Sequence, residues 1–357
     1  MIARRHAALL VGALAGYPCG ASAAPAAAAA DAPGWSWQLP RGFPTPAVPR
    51  DNPMSAAKVA LGRRLFFEPR LAVTGRYSCA SCHDPARAFS DGLPVAVGAT
   101  GAKLTHNAMA LVNVAYNVSF GWTTPRLRSL EAQMRVPLFN THPVELGVLG
   151  RERALCAQLA ADHEYAAAFA AAFPGEAGTA GDAAVTLDHI VRAIAAFERT
   201  LISGGSPFDR YVFGGEHTAL SAEAKRGMAL FFSARVGCAS CHSGFNFAGN
   251  WRDAHGATGP ASFANNGTSE QAVRVPTLRN VALSAPYMHD GRFATLAEVL
   301  GHYAQLAART AAAAGPTRDP RLPHAPLSAA EQAALIAFLN SLTDPSFIAR
   351  FADTPRS

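Results

Sequence analysis

The pentapeptide CASCH occurs twice in this chain of 357 residues, at positions 79–83 and 238–242. A C-x-x-C pair alone is compatible with a disulfide, a redox pair or half of a zinc site, but C-x-x-C-H is typical of covalent attachment of a c-type haem. The two thiols bond the porphyrin edge, and the following histidine is placed to ligate the iron. A zinc site built from all four cysteines, or a pair of disulfides, would leave both histidines unexplained. We therefore predict two haem c groups, held by Cys79, Cys82, His83, Cys238, Cys241 and His242.

Similar segments precede the two motifs. Residues 55–67 read SAAKVALGRRLFF and residues 221–232 read SAEAKRGMALFF. Each segment begins with a serine suited to capping a helix and ends in Gly, two further residues and then Leu-Phe-Phe. This repetition indicates an internally duplicated chain.

Two further segments have helical periodicity. Residues 186–202 place Ile190, Ile194, Phe197 and Leu201 at spacings of three and four, and residues 328–342 open with the capping-box pattern S-x-x-E. Strand-like alternation is scarce, and irregular stretches fill 84–104 and 244–273. We predict an all-α fold with two domains, residues 52–205 and 206–350, joined around 204–216, which suits a prior of about 150 residues per domain. Cys156 is left as an unpaired thiol that we expect to be buried.

The start of the chain has the features of an export signal. A short basic stretch, ten apolar residues and a small-residue cleavage site predict a signal peptide at 1–23, followed by an Ala/Pro-rich tether and extended segment at 24–51. Removing Arg4 and Arg5 with the signal lowers the formal charge from +6 to +4. No basic stripe with interleaved aromatics predicts nucleic-acid binding, and no stretch approaches the roughly 20 apolar residues of a membrane span.

Two haem groups do not by themselves make an enzyme. An electron carrier fills both axial positions of each iron, whereas a peroxidase leaves one iron open to peroxide and surrounds it with acid-base groups. The second axial ligands therefore decide between an enzyme and a non-enzymatic dihaem electron carrier.

From about residue 52 to residue 342, the chain resembles the bacterial dihaem cytochrome c peroxidase and MauG family. The matching landmarks, in order, are LGRRLFFEPRL, NAMALVNVAYN, LEAQ, PVELG and VPTLRNVALSAPYMHDGRFATLAEVLGHY. The extended start at 37–59 is similar to that of MbnH-type members, which oxidise tryptophan in a partner protein. The resemblance implies a periplasmic protein with two cytochrome c-like domains, each holding one covalently attached haem.

The resemblance also assigns residues around the first haem. The family's peroxide pocket falls on Gln133 and Glu145, with Pro137 lining it, and its tryptophan between the haems falls on Trp122. A carboxylate can take a proton from peroxide and return it to the leaving oxygen, while an amide orients the substrate. Read without the family, Gln133 and Glu145 would be ordinary surface residues and Trp122 a large core residue. The segment GWTTPRLRS departs from the family's common FWDGRA.

The ligand positions distinguish members of the family. The displaceable histidine of its peroxidases falls here on Ala99, which implies a first haem that is open without reductive activation; His106 is the nearest alternative. On the second haem, counting 14 residues from His289 gives Tyr303, the residue that MauG-type members use in place of methionine. Met288 is the rival ligand, and a plain core role for Tyr303 stays open because it shares a helical face with apolar residues.

The family further implies a calcium ion held by the Asn107 side chain and the backbone oxygens of Ser284 and Pro286. The resulting hypothesis is an enzyme that uses hydrogen peroxide to oxidise a side chain of a periplasmic partner protein, with tryptophan as the expected target. One alternative is a cytochrome c peroxidase that takes electrons from a small cytochrome c or a cupredoxin. The other is the dihaem electron carrier.

Overall fold

The computed structural model describes residues 35–176, 185–249, 251–257, 263–266, 268–269, 271–310, 321–322 and 325–352. The predicted signal peptide and residues 24–34 of the predicted tether lie outside these ranges. Across the ranges that are described, no helix combines the length and the apolar content that crossing a membrane requires.

Helices dominate the described residues, as predicted. They are α1 (Ala56–Phe66), α2 (Leu130–Phe139), α3 (Glu152–Ala160), α4 (His163–Ala172), α5 (Leu187–Arg199), α6 (Pro207–Val212), α7 (Ala222–Phe231), α8 (Leu296–Thr310), α9 (Ala329–Asn340) and α10 (Pro345–Ala349). The only sheet in the described ranges pairs two-residue strands, β1 (Phe263–Ala264) and β2 (Val273–Arg274), in antiparallel register. Short 3₁₀ turns at Cys79–Ser81 and Cys238–Ser240 carry the two cysteine motifs.

The four predicted helices are confirmed, three of them with their predicted serine caps. Ser55 accepts a hydrogen bond from the Lys58 N–H at the start of α1, and Ser221 caps α7 in the same way. Ser328 and Glu331 form the predicted capping box of α9. The predicted linker at 204–216 contains one short helix, α6, which Ser206 and a proline at its first turn start locally.

The same helix crossing is built twice. Helix α1 crosses α5 at Gly62, where an added Cβ would lie 1.9 Å from the Ala193 carbonyl oxygen. Helix α7 crosses α9 at Gly227, where the corresponding distance to the Ala334 oxygen is 1.8 Å. Only glycine allows backbones to approach this closely. We call residues 55–201 the first repeat and residues 221–342 the second repeat.

A buried asparagine follows the same rule in each repeat. Asn113 and Asn280 both adopt left-handed backbone conformations, with φ of 57°. Their N–H groups donate to the carbonyls of Leu201 and Leu342, which follow α5 and α9. Both side chains also bond Ser203, since Asn113 exchanges two hydrogen bonds with its backbone and Asn280 donates to its hydroxyl over 2.8 Å. The repeats therefore meet at one shared polar centre.

Two main hydrophobic cores lie on either side of this centre. The first contains the predicted stripe of Ile190, Ile194, Phe197 and Leu201, all buried, and the second is built around α7 and α9. The segment around α10 returns to the first core, where Phe347 and Phe351 are buried. A third cluster of aromatic side chains covers the join near the start of the described chain. The domain limits at 52–205 and 206–350 stay predictions.

Candidate active site

Both motif histidines are oriented by backbone carbonyls. The Nδ1 atom of His83 lies 2.9 Å from the Phe89 carbonyl oxygen, and that of His242 lies 3.1 Å from the carbonyls of Phe247 and Pro276. A carbonyl can only accept, so Nδ1 carries the proton and Nε2 keeps its lone pair. Burial lowers the pKa of both imidazoles, which keeps them neutral at pH 7. Each ring is thus prepared to ligate a metal through Nε2.

The motif cysteines form no disulfide in the described ranges, and the first cysteine of each motif packs against a different core. Cys79 packs against the first core and Cys238 against the second, so the four cysteines do not converge on one zinc site. In the ranges that the structure covers, no three His, Cys, Asp or Glu side chains form a cluster that could hold a metal ion. Cys156 in α3 is also a free thiol and is half-buried against the first core.

A large cavity lies beside the second motif. It encloses about 1660 Å³ free of protein atoms, part of it open to solvent, and Cys238, Cys241 and His242 lie in its wall. Trp122 and Tyr303 also line it, and apolar side chains supply most of the rest. A cavity with two thiols, an oriented imidazole and an apolar lining has the donor set and the shape that haem c needs.

A buried arginine in the same cavity supplies a further test of fit. The Arg274 guanidinium contacts the Met109 sulfur at 2.9 Å, and its Nε has no hydrogen-bond partner among the described residues. Burial lowers the pKa of Arg274 to about 10. A buried cation without a carboxylate partner is costly, and a haem propionate would supply that partner. The second site therefore fits the cofactor that the motif predicts.

Tyr303 and Met288 both reach the second cavity and share one neighbour. The Asn266 side chain hydrogen-bonds the Tyr303 hydroxyl, and its Nδ2 lies 3.5 Å from the Met288 sulfur. Thr268 and His302 fix Asn266 in turn, through its side-chain oxygen and its carbonyl. Burial raises the pKa of Tyr303, so a phenolate there needs a cation beside it.

The loop after the first motif connects Cys82 with Glu145. The Cys82 thiol lies 3.6 Å from the Val97 carbonyl oxygen, and two residues later the Ala99 N–H donates to the Glu145 carbonyl over 2.7 Å. Burial raises the pKa of Cys82 to about 12, with smaller contributions from the negative charges of Asp91 and Glu145. Glu145 therefore belongs to the surroundings of the first motif.

Helix α2 brings the other predicted pocket residues to this place. Gln133 and Pro137 are one helical turn apart, and the Pro137 carbonyl accepts from the N–H of Leu146, the neighbour of Glu145. The side-chain amide oxygen of Gln133, Oε1, is buried without a hydrogen-bond partner in the described ranges. Asn140 donates to Glu145 over 3.2 Å, yet burial dominates and raises the pKa of this carboxyl. The Pro137 end of α2 thus packs beside Glu145, and Gln133 lies one helical turn earlier with an unsatisfied side-chain oxygen.

Trp122 bridges the two repeats. Its indole N–H donates to the Asn107 carbonyl over 2.8 Å. Its backbone carbonyl accepts from the Arg274 backbone N–H, also over 2.8 Å. The Arg274 guanidinium lies 5.8 Å from the indole ring centre. The indole lies in the wall of the second cavity while its chain belongs to the first repeat. This place is compatible with the predicted position between two haem groups.

The three predicted calcium ligands lie in the wall of the second cavity. Asn107, Ser284 and Pro286 are all found there, and the Asn107 amide nitrogen donates to the Leu93 carbonyl over 2.6 Å. This bond leaves the Asn107 side-chain oxygen as the donor for a cation, and oxygen donors suit calcium. His106, the alternative ligand, lies beside His289, with ring centres 5.8 Å apart.

Sequence reasoning missed Arg274, Asn266 and Asn140. An arginine in an irregular stretch is ordinarily a surface residue, and nothing in the letters VRVPTLRN indicates that Arg274 is fully enclosed. Asn266 matters through its contacts with Met288 and Tyr303, which are distant in the sequence. Asn140 matters through its hydrogen bond to Glu145 across a turn. No periodic pattern could have indicated their contacts.

The described structure is thus helical, duplicated in its central crossing, and carries two C-x-x-C-H motifs, the second of which lies in the wall of a cavity that fits c-type haem. The sequence pattern of the di-haem cytochrome c peroxidase family matches residues 56–217. The methylamine utilization protein MauG of Methylorubrum extorquens is 39% identical over 262 residues, which cover 71% of this chain and 70% of the relative. Cytochrome-c peroxidase IdrP1 of Denitromonas iodatirespirans is 33% identical over 345 residues, covering 85% and 86%.

A solved structure gives the same result. The crystal structure of a MauG-like protein associated with microbial copper homeostasis superposes with a TM-score of 0.80 at 35% identity, over 90% of this chain and 99% of the other. The chain belongs to the di-haem cytochrome c peroxidase and MauG family. It is accordingly a peroxide-dependent oxidoreductase of a family that carries two haem c groups.

Proposed function

We propose that this protein uses hydrogen peroxide at the first site to oxidise a side chain, tryptophan in the first instance, of a partner protein in the bacterial periplasm. The observation that carries the proposal is the position of Tyr303 in the same cavity as His242. Tyrosine as a ligand lowers the reduction potential of a haem, which favours storing oxidising equivalents over collecting electrons from a carrier. The MauG-like relative described as associated with copper homeostasis makes a copper-related partner the first to test.

At the first site, the protein positions peroxide and moves its protons. The buried amide of Gln133 orients the substrate, and the Glu145 carboxylate accepts a proton from the attacking oxygen and returns it to the leaving oxygen. Pro137 closes the pocket beside them. Haem c held through His83 supplies the redox chemistry. Peroxide takes up two electrons and two protons and leaves as two water molecules.

The electrons reach the first site through Trp122. Its indole lies against the second cavity, while its chain is anchored to Asn107 and Arg274. An aromatic ring in this place shortens the gap between two redox groups. The Tyr303 oxygen, with Asn266 donating to it, would ligate the haem iron together with His242, and Asn107, Ser284 and Pro286 would hold a calcium ion between the two repeats.

The test is an optical and electron paramagnetic resonance study of the oxidised protein, with Tyr303→Phe and, as matched control, Met288→Leu. We expect one high-spin and one low-spin haem signal in the wild type, with the low-spin signal lost only in Tyr303→Phe. Stoichiometric peroxide should then give a long-lived oxidised spectrum. Loss of the low-spin signal in Met288→Leu instead would make Met288 the ligand.

The second candidate is a cytochrome c peroxidase that takes electrons from a small cytochrome c or a cupredoxin. It is favoured by the contact between Asn266 and the Met288 sulfur, which keeps a thioether beside the second site. Two low-spin signals, with a peroxide reaction that appears only after partial reduction, would support this candidate and reject the first. A protein with two low-spin haems that never reacts with peroxide would be an electron carrier.

A further inference from the structure

The chain contains four tryptophans, and three of them lie outside the proposed peroxide chemistry. Trp35, Trp37 and Trp251 belong to one aromatic assembly at the start of the described chain. Indole is among the most easily oxidised side chains, so their alignment beside a redox site needs an account of its own.

Trp251 lies against the second motif itself. A Cβ placed on Gly244 would be 3.2 Å from Nε1 and Cζ2 of the indole, and Gly244 is only two residues beyond His242. Gly244 has a φ of 67°, which glycine adopts without strain, and the missing side chain lets the indole pack directly on this backbone. The ring also contacts Phe245 edge to face, with centres 5.2 Å apart.

The assembly continues from Trp251 to the protein surface. Phe245 packs on Phe43 with ring centres 4.9 Å apart, and Trp37 packs against the same cluster. Trp37 in turn meets Trp35 edge to face at 5.4 Å. Trp251 is buried, whereas Trp37 and Trp35 are only half-buried and are flanked by exposed residues. The assembly therefore extends from Gly244, two residues beyond His242, to two half-buried tryptophans near the surface.

The polar contacts of these rings favour electron transfer through tryptophan. The indole N–H groups of Trp35, Trp37 and Trp251 are buried and have no protein acceptor in the described ranges. An oxidised indole there keeps its proton and remains a strong oxidant for the next ring. Tyr116, which also belongs to the cluster, donates its hydroxyl to the Pro44 carbonyl over 2.7 Å. A carbonyl cannot take up a proton, so Tyr116 is poorly suited to lose an electron.

We propose that Trp251, Trp37 and Trp35 form an oxidisable relay from the second site to the surface, and that peroxide oxidises Trp35 or Trp37 when no partner supplies electrons. This inference rests on the proposed function. The indole and one water lose two electrons and two protons and give a hydroxyindole. Peroxide takes up those electrons and protons and gives two waters, so the net reaction transfers one oxygen atom to tryptophan and releases one water.

The test treats the purified dihaem protein with a few equivalents of peroxide and analyses the tryptic peptide that ends at Arg41. Trypsin does not cut between Arg5 and Arg41, so Trp35 and Trp37 fall in one peptide. This stretch contains no methionine that could take up oxygen in their place. Fragment masses locate any added oxygen. We expect oxidation at Trp35 or Trp37 in the wild type and a severalfold loss of it in Trp251→Phe, together with a slower return of the haem spectrum to its starting form.

Tyr116→Phe is the matched control, because it alters the same cluster without removing an indole, and it should oxidise like the wild type. If Trp251→Phe does not fold, Trp37→Phe interrupts the next step and should lower oxidation at Trp35. Equal oxidation in the tryptophan variants would mean that free peroxide attacks the surface directly, which overturns the relay.

A haem spectrum that responds to peroxide while Trp35 and Trp37 stay intact, with the same decay in Trp251→Phe, rejects the relay and leaves the proposed function standing. A haem spectrum that does not respond to peroxide rejects both.

Discussion

The two repeats share the crossing of their helices and the orientation of their histidines, and they differ in what surrounds those histidines. The first motif has a half-buried carboxyl, Glu145, near Cys82, and the α2 helix that packs beside Glu145 carries the unsatisfied Gln133 side-chain oxygen. His242 faces a cavity with a phenol, Tyr303. The comparison teaches that the helix pair and the carbonyl contacts fix an imidazole, while elements outside the crossing decide what chemistry it can support.

The repeats also differ inside their cores. The segment before each buried asparagine reads Leu-Val-Asn in the first repeat and Leu-Arg-Asn in the second, so Val112 corresponds to Arg279. Val112 packs in the first core, whereas Arg279 pairs with Asp209 of α6 and stacks on Phe43 at 4.5 Å. The second repeat thereby anchors both the linker helix and the extended start of the chain.

The largest predicted effect is on the rate of the peroxide reaction, and it tests whether the first site owes this reaction to its acid-base group. Glu145→Gln should slow the reaction with peroxide by about 10²–10⁴-fold, because the proton acceptor is removed while the amide keeps the shape of the pocket. Stopped-flow measurement of the haem spectrum checks this. Asn140→Ala, which removes only the hydrogen bond to Glu145, is the control and should have a much smaller effect.

The pH dependence of the same rate gives an independent check. Burial raises the pKa of Glu145, and only the ionised form accepts a proton. The wild-type rate should therefore fall on the acid side at a higher pH than an ordinary glutamate would give. A rate that does not fall as the pH is lowered to the ordinary glutamate pKa would show that Glu145 is not the base.

The second prediction concerns the charged core of the second repeat. Arg279→Met should lower the free energy of unfolding by about 3–5 kcal/mol, because it leaves Asp209 buried without its partner. Denaturant titration followed by circular dichroism measures the loss. Adding Asp209→Asn to the variant should recover part of it. If the single variant costs no more than an exposed ion pair, the anchoring role of Arg279 is wrong.

The third prediction tests whether the two crossings are equivalent. Gly62→Ala and Gly227→Ala should each cost about 1–3 kcal/mol, since the added methyl group meets a backbone oxygen that cannot move without separating the helices. Gly301→Ala in α8 has open space around its Cβ position and should be neutral or stabilising. Thermal unfolding of the three variants compares them, and a large difference between Gly62 and Gly227 would contradict the duplication.

The smallest effect concerns Glu198, which corresponds in the second repeat to Leu339. Burial raises the pKa of Glu198 to about 8, so the folded state binds more protons than the unfolded state between the ordinary glutamate pKa and pH 8. Stability should fall as pH rises through this range. Glu198→Gln should remove that fall, because the amide does not titrate. Unfolding curves at both ends of the range measure it, and an unchanged slope would contradict the prediction.

Much of the scaffold could be predicted because its signals are local. Serine caps and periodic apolar residues are local to single helices, so α1, α7 and α9 were predicted with their caps and α5 from its periodicity. The predicted stripe on α5 was confirmed, although Leu201 follows the helix rather than belonging to it. The short α6 was missed because a proline-started turn of six residues has too little periodicity to indicate a helix.

The contacts within the sites required the fold. The carbonyl partners of His83 and His242 come from loops whose course no spacing rule predicts, and the enclosure of Arg274 depends on strands and helices far apart in the sequence. Tyr303 and Met288 both remained candidates from sequence alone. The structure adds Asn266 as their common neighbour, and the choice between them stays a prediction.

The sequence by itself determined that two haem-attachment motifs follow two capped helices and that the chain resembles one family from about residue 52 to residue 342, because covalent attachment and helix capping need particular residues at fixed short spacings. Only the tertiary structure decided which groups lose their water. Burial gives Glu145 its raised pKa, leaves the Gln133 amide unsatisfied and aligns Trp251 with the second motif. Desolvation and ring packing depend on neighbours that are distant in the chain, and they exist only after folding.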